Sequence, residues 1–106
     1  MPTEHKGYAR LLKKIFRERP YDDITQVISL IDEMVAALSE KEASILKAHF
    51  GLSGEPPSTL RAIGERWGRS DENMRQVEAQ AIRRLRHPSR SNRLRILLWP
   101  KPLADS

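Results

Sequence analysis

Three side chains near the start of one predicted helix have the chemistry needed to recognise base pairs. Glu72, Arg75 and Gln76 lie three and four residues apart, so an α-helix places them on one surface. Arginine pairs with O6 and N7 of guanine, glutamine pairs with N6 and N7 of adenine, and glutamate accepts from N4 of cytosine. This trio is therefore predicted to contact bases in the major groove of duplex DNA.

Basic residues follow the trio along the chain. Arg83, Arg84 and Arg86 come two to three helical turns later, where the phosphates of a bound duplex would lie. Residues 59–95 carry ten arginines against four acids, net +6, whereas residues 21–42 carry one lysine against six acids, net −5. The basic half suits a polyanion, and the acidic segment is expected to face elsewhere.

The elements that must position these side chains are all predicted to be helical. The bounding residues are, in chain order, Pro20 after the first helix, Asp22 or Asp23 before the second, the Ser39–Glu42 capping box and Gly51 around the third, Thr59 and Gly68 around the fourth, Ser70 and His87–Pro88 around the fifth, and Asn92 and Leu98 at the ends of the sixth. Residues 89–91 are expected to form a turn. The predicted fold is an all-α helical bundle with a helix-turn-helix, preceded by an extra amphipathic helix.

The predicted organisation has three parts. Residues 1–20 form a basic N-terminal helix or arm, residues 21–98 a helix-turn-helix domain, and residues 99–106 a tail. Gly68 and Ser70 mark the helix-turn-helix turn, and Gly64 is small where the two helices must approach. Arg69 stands where a buried apolar residue is usual. The glycine pattern alone suits an ordinary helical hairpin equally well, and the chemistry of the fifth helix favours the DNA-binding motif.

The composition argues against enzymatic, metal-binding and membrane roles. There is no cysteine, which excludes disulfides and thiolate metal sites. His5, His49 and His87 are isolated, so no catalytic residue, metal or cofactor is predicted. No apolar run approaches the roughly 20 residues of a membrane span, and no signal peptide is apparent. The sequence therefore predicts a soluble cytoplasmic protein.

One stretch of the chain carries a family resemblance. The residues that carry it are Leu38–Ser39, Glu42–Ala43, Phe50–Gly51, Thr59–Leu60, Gly64, residues 75–79, Arg83, residues 85–91 (LRHPSRS) and Leu94–Arg95. On these residues the chain resembles, without a gap, region 4 of primary bacterial sigma factors. The resemblance implies a compact all-α domain, a −35-like promoter element as the DNA target, and the β-subunit flap of RNA polymerase as a partner.

The resemblance also implies roles for individual residues. Glu72, Arg75 and Gln76 match base-contacting positions. The matches to DNA-backbone contacts are Thr59, Lys41, Lys47 and Arg83. The matches to the surface that faces activators and polymerase are Arg84, Arg86, His87, Arg90 and Arg93. The flap is expected to dock near the apolar residues Leu46 and Phe50.

The chain departs from the family pattern at several positions. Asp71 and Asn73 stand where basic residues are usual, and Gln80 replaces a common lysine. Glu78 matches the family but projects toward the core side of its helix, where a salt bridge to a nearby arginine is at least as compatible as a DNA contact. Nothing in the chain matches the aromatic-rich sigma domain that melts promoter DNA.

Three functions therefore stay open. The first is a promoter-recognition protein that binds polymerase and −35-like DNA, working with a separate sigma-like melting subunit. The second is an autonomous helix-turn-helix regulator, as a monomer or a homodimer. The third is an adaptor or decoy that binds only protein, either polymerase or an anti-sigma factor. All three place the protein in the cytoplasm of a bacterial or bacteriophage-infected cell.

Overall fold

Six α-helices make up the part of the chain that the structure describes. The computed structural model describes residues 6–15, 25–52, 54 and 56–98, and within these ranges it contains no strand. The helices are α1 (Lys6–Ile15), α2 (Thr25–Ala36), α3 (Glu40–Phe50), α4 (Leu60–Trp67), α5 (Asp71–Arg86) and α6 (Pro88–Leu98). The predicted all-α class is confirmed. Across these same ranges, no helix combines the length and apolar character needed to cross a bilayer. The predicted boundaries at Pro20, Asp22 and Asp23 lie outside the described residues.

Local capping residues explain where three of the helices begin and end. The Ser39 hydroxyl accepts the backbone N–H of Glu42 at 3.2 Å, and the Glu42 carboxylate accepts the N–H of Ser39 at 3.4 Å. Thr59 and Ser70 cap α4 and α5 in the same way, each through its hydroxyl. Gly51, with φ 72°, ends α3 in the left-handed conformation that glycine adopts without steric cost. The predicted caps at Ser39, Gly51, Thr59 and Ser70 are therefore confirmed.

The junction between α5 and α6 differs from the prediction. Residues 89–91 were expected to form a turn, but α6 already begins at Pro88 and includes them. Proline is favoured in the first turn of a helix, because its fixed φ suits the helix and its missing N–H would have no partner there. His87 takes the place of a cap, since its Nδ1 accepts the Ser89 N–H at 3.1 Å. The two helices are therefore joined through a single residue.

Helix α5 lies at the centre of the bundle and packs against α1, α3, α4 and α6. Its buried stripe is formed by Met74, Ala81 and Leu85, each at 0% exposure, with Val77 half-buried beside them. Their spacing of three or four residues places them on one face of the helix. The stripe belongs to one continuous apolar core that also includes residues of α1, α2, α3, α4 and α6.

Two side-chain contacts join α3 to α5. The buried Glu42 carboxylate contacts Arg84 Nε at 3.3 Å, using the oxygen that does not take part in the capping box. The buried Glu78 carboxylate contacts Nδ1 of His49. The core-side orientation of Glu78 is as predicted, but the proposed arginine partner is wrong. Glu78 contacts His49 instead, because His49 on α3 faces it across the interface between the two helices.

Helix α1 packs on the bundle instead of projecting from it. Its apolar face is buried throughout, through Tyr8, Leu11, Leu12 and Ile15. A Cβ atom built on Gly7 would collide with the backbone carbonyl of Phe50, so only glycine permits this approach of α1 to the end of α3. On the α2 side, the Tyr8 hydroxyl donates to Asp32 Oδ1 at 2.7 Å. The N-terminal helix therefore shares the core of the residues that follow it.

Candidate nucleic-acid interface

The turn between α4 and α5 has the geometry of a helix-turn-helix. Gly68 adopts φ 70°, and the N–H of Arg69 donates to the carbonyl of Gly64 at 2.7 Å. A Cβ atom on Gly64 would lie 2.6 Å from the carbonyl oxygen of Arg69, so the glycine is required for the close approach. Arg69 itself is exposed. The turn therefore forms without the buried apolar residue that was expected at that position.

The recognition face of α5 comprises Glu72, Arg75, Gln76, Ala79 and Arg83, all of which are exposed. Glu72 connects the three predicted base-contacting residues. Its carboxylate contacts Arg75 Nη2 at 3.1 Å and accepts from Gln76 Nε2 at 3.5 Å. Because the Arg75 and Glu72 side chains are 65% and 62% exposed, this pair is weak in water. The structure thus brings the three residues together on an open surface.

Three positions beside the recognition face of α5 carry no basic side chain. Asp71 is exposed in the first turn of α5, and the positive end of the helix dipole stabilises its negative charge. Asn73 is half-buried, and its Oδ1 atom has no hydrogen-bond partner in the described part of the chain. Gln80 is exposed. The side chains at these three positions therefore offer little attraction to phosphate.

The predicted backbone-contacting residues lie on three helices. Thr59 is exposed at the start of α4, where its hydroxyl accepts the Ala62 N–H at 3.0 Å and keeps its own proton to donate. Lys41 is exposed, Lys47 is half-buried, and Arg83 is exposed on the recognition face. Unpaired backbone N–H groups at the start of α4 add a further positive site beside Thr59.

Three of the five residues predicted to face activators or polymerase have local partners. Arg84 contacts Glu42, Arg93 Nη2 contacts Glu33 Oε1 at 3.6 Å, and His87 Nδ1 lies 2.9 Å from Ser89 Oγ. Arg86 is exposed and Arg90 is half-buried. These side chains lie at the end of α5 and in the first half of α6, and the Arg84 side chain also contacts α3.

The surface expected to receive the polymerase flap is covered in this structure. Leu46 is 0% exposed and Phe50 is 2% exposed. Gly7 lies against the Phe50 backbone, and the Arg10 guanidinium lies 5.7 Å from the centre of the Phe50 ring, in cation–π geometry. The expected docking residues are therefore core residues here, and a partner could reach Phe50 only if α1 moved.

A basic cleft lies between α1 and α5, and the sequence did not indicate it. We define the α1–α5 cleft by its lining residues: Lys13, Lys14, Arg75, Glu78, Ala79, Ile82, Arg83 and Arg86. Lys13 and Lys14 are 61 or more residues before the α5 residues that they face, and no local pattern predicts such a pairing. Their place on the polar side of an amphipathic helix was the one available signal.

Metal binding finds no support in the site. Among the residues that the structure describes, no group of three or more histidine, cysteine, aspartate or glutamate side chains could hold an ion. The histidines at positions 49 and 87 have hydrogen-bonding partners of their own, Glu78 and Ser89. The site therefore consists of hydrogen-bonding and charged groups suited to recognition of a ligand.

Comparison with known proteins gives one consistent result. The family model described as "Sigma-70, region 4" matches residues 34–87, about half of the chain. RNA polymerase sigma factor SigA from Bacillus sp is 41% identical over 68 residues, which are 64% of this chain and 18% of that protein. RNA polymerase sigma factor RpoD from Neisseria gonorrhoeae is 38% identical over 74 residues, 70% of this chain and 12% of that protein. The chain thus spans less than a fifth of the length of either relative.

Proposed function

Because the chain belongs to the sigma-70 region 4 family, a family of DNA-binding helix-turn-helix transcription domains, we propose that it recognises −35-like promoter DNA and modulates transcription initiation. In this proposal α5 enters the major groove. Glu72, Arg75 and Gln76 contact base edges, and the start of α4 at Thr59 contacts a phosphate. The protein acts in the cytoplasm, and its role is recognition without catalysis.

One observation carries the proposal: the recognition face of α5 is exposed and clusters the three base-contacting side chains. A helix that only packed in a bundle would not need Glu72 to contact both Arg75, at 3.1 Å, and Gln76, at 3.5 Å, on an open surface.

Selection from a random duplex library tests the proposal directly. The purified protein should enrich a short motif that resembles the −35 element, and the motif should contain guanine opposite Arg75. Enrichment of an unrelated motif would favour an autonomous operator-binding regulator. Recovery of no motif, with only salt-sensitive binding to all sequences, would show that α5 does not distinguish bases.

A second part of the proposal concerns protein partners. The relatives are named as RNA polymerase sigma factors, and we propose that this chain also binds RNA polymerase at the β flap. The basic residues Arg86, Arg90 and Arg93 at the end of α5 and in α6 would face polymerase or a neighbouring activator. A separate melting subunit would supply the DNA-opening step. An anti-sigma factor is an alternative ligand for the same surface.

The covered Phe50 favours a second candidate function. If α1 stays on Phe50, the expected flap-docking residues are not available, and the protein would act as an autonomous helix-turn-helix regulator. A protein-only adaptor or decoy, by contrast, would need that surface free. The two functions differ in whether α1 leaves its position when polymerase is present.

A Gly7→Ala variant should bind the isolated β flap more tightly than the parent. The added Cβ collides with the Phe50 carbonyl, and such overpacking costs about 1–3 kcal/mol, which favours release of α1. If the flap needs Phe50 free, its apparent affinity rises by up to roughly 5- to 150-fold. Fluorescence anisotropy with a labelled flap fragment measures the change, and Lys6→Ala, at an exposed neighbouring position, serves as the control.

Two outcomes would contradict the flap-release expectation. Equal flap affinity in the parent, Gly7→Ala and Lys6→Ala would mean that polymerase docks elsewhere on the chain. No flap binding by any of the three would make the autonomous regulator the better description.

An Asp71→Arg variant should bind DNA more tightly and with a steeper salt dependence. Asp71 is exposed in the first turn of α5, near the phosphates that flank the groove in the proposed complex. One new phosphate contact changes the slope of log K against log salt concentration by roughly 0.9. Loss of a favourable acid at the helix N-terminus costs about 0.3–1 kcal/mol of stability. DNA titrations between 50 and about 200 mM salt measure the slope.

The matched control for Asp71→Arg is Glu33→Arg, which changes the charge equally. Glu33 lies on α2, where it contacts Arg93 and is 65% exposed. If both variants alter the salt slope by the same amount, the effect is general charge and α5 does not lie against the phosphates.

A further inference from the structure

Helix α1 adds two cations beside the recognition face, and they come from outside the segment that the family model matches. That segment begins at residue 34, whereas Lys13 and Lys14 line the α1–α5 cleft together with Arg75, Ala79 and Arg86. The family relation therefore assigns these lysines no role. Their function has to be argued from where the structure places them.

The charge of the cleft is concentrated and largely uncompensated. Five of its lining residues are basic, and the carboxylate of the single acid, Glu78, contacts His49. Within the described ranges, no ion pair involves Lys13, Lys14, Arg83 or Arg86. Like charges held close together repel one another, and a bound polyanion relieves that repulsion.

The cleft is continuous with the recognition face. Arg75, Ala79 and Arg83 belong to both, and Ile82 and Arg86 continue the same side of α5 toward its C-terminal end. A duplex that receives α5 in its major groove has a phosphate strand on each side of the helix. On the α1 side, that strand would pass over the cleft.

We propose that Lys13 and Lys14 bind phosphates of the DNA strand that borders the groove occupied by α5. This inference rests on the proposed DNA-binding function and extends it to a helix that region 4 does not include. The lysines add affinity without base preference, because an ammonium group on a phosphate carries no sequence information. They also supply positive charge that Asp71 and Asn73 do not supply at the other end of α5.

The position of the two lysines is fixed by the opposite face of the same helix. Leu11 and Leu12 are 0% exposed and Ile15 is 4% exposed, so α1 cannot rotate without exposing core residues. Gly7 and Arg10 hold its first turns against Phe50. The ammonium groups at positions 13 and 14 therefore stay on the α5 side, where both side chains are exposed.

DNA fits this cleft better than an acidic protein does. A protein partner would have to match a row of cations that extends directly into base-contacting residues, whereas a phosphate strand has evenly spaced charges along its length. Arg75 and Arg83 belong to both the cleft and the recognition face, so they could not bind an acidic protein and DNA at the same time. A DNA duplex, by contrast, contacts both surfaces at once.

A Lys13→Gln/Lys14→Gln double variant tests the inference. Loss of two phosphate contacts should reduce the magnitude of the salt slope by about 1.8. When salt falls from 1 M to 0.1 M, the DNA affinity of the parent should therefore rise roughly 60-fold more than that of the variant. The loss should be equal on the selected and random duplexes, so their affinity ratio stays constant. The control, Lys6→Gln/Arg95→Gln, removes two exposed charges that do not line the cleft. A Lys13→Arg/Lys14→Arg variant should keep the parental slope.

Each outcome of this experiment decides between distinct alternatives. A slope change equal to that of the control would overturn the lysine contacts and leave base recognition by α5 standing. Failure of the parent itself to bind DNA would overturn both proposals. If the lysine variant binds DNA as the parent does but loses affinity for polyglutamate, the cleft receives an acidic protein and the inference is wrong. Thermal unfolding of each variant verifies that the fold is retained.

Discussion

An Arg75→Ala variant is expected to bind the selected duplex about 1–3 kcal/mol more weakly than the parent, because a bidentate arginine–guanine pair is worth that much discrimination. Affinity for random duplex should fall much less, so the specificity ratio decreases. The cost to the free protein is small, since the Arg75–Glu72 pair is well exposed. Competition titrations with both duplexes at one fixed salt concentration measure the ratio.

Two further variants sharpen this result. Glu72→Ala should relax preference at a single base pair, whereas Arg93→Ala, at a 69% exposed position on α6, should leave preference unchanged. A parental specificity ratio in both Arg75→Ala and Glu72→Ala would mean that α5 does not contact bases. The exposed face of α5 would then be a surface for protein partners.

A Leu11→Ala variant is expected to lose about 2–5 kcal/mol of unfolding free energy, the range for truncating a buried leucine. Leu11 is 0% exposed on α1, where it belongs to the apolar core. Since domains of this size are stable by only about 5–15 kcal/mol, the variant should unfold at clearly lower urea concentration. Circular dichroism during urea titration gives the free energy.

Ile96→Ala is the matched control for that measurement. It also removes a large aliphatic side chain, but Ile96 is 65% exposed on α6, so the expected change is within about 0.5 kcal/mol. Equal effects of the two substitutions would show that α1 does not pack on the bundle in solution. The α1–α5 cleft would then lose its basis.

The helix ends could be predicted from the sequence because their causes are local. The Ser39–Glu42 capping box, the Thr59 and Ser70 caps and the glycine at position 51 each act within a few residues. The same locality led to the error at α6. Pro88 was interpreted as a helix breaker, although a proline directly after a capping residue equally starts a new helix.

Contacts between distant residues were not predictable from one sequence. His49 and Glu78 are 29 positions apart, and no periodicity links them. The location of α1 depends on the fit of Gly7 against the Phe50 carbonyl, a steric detail that a pattern of apolar residues cannot contain. The sequence predicts that this helix is amphipathic, but not the surface against which its apolar face packs.

One part of the candidate site could be predicted from the sequence, and another part could not. The recognition face follows from the 3.6-residue period of α5, so Glu72, Arg75 and Gln76 could be assigned to one surface in advance. The lysines at positions 13 and 14 could not, because their contribution arises only when α1 docks beside α5. The sequence thus predicts the residues proposed to contact bases, but not how far the proposed DNA-binding surface extends.

The two carboxylate oxygens of Glu42 have a consequence for how the protein opens. One oxygen holds the first turn of α3 and the other holds Arg84 near the end of α5. Helix N-termini ordinarily fray independently, with little free energy separating closed and open forms. Here, fraying of the first turn of α3 also disturbs its tie to α5, so the two segments are expected to open as one cooperative unit. Amide protons at this helix start should therefore exchange with solvent on the timescale of the α3–α5 interface.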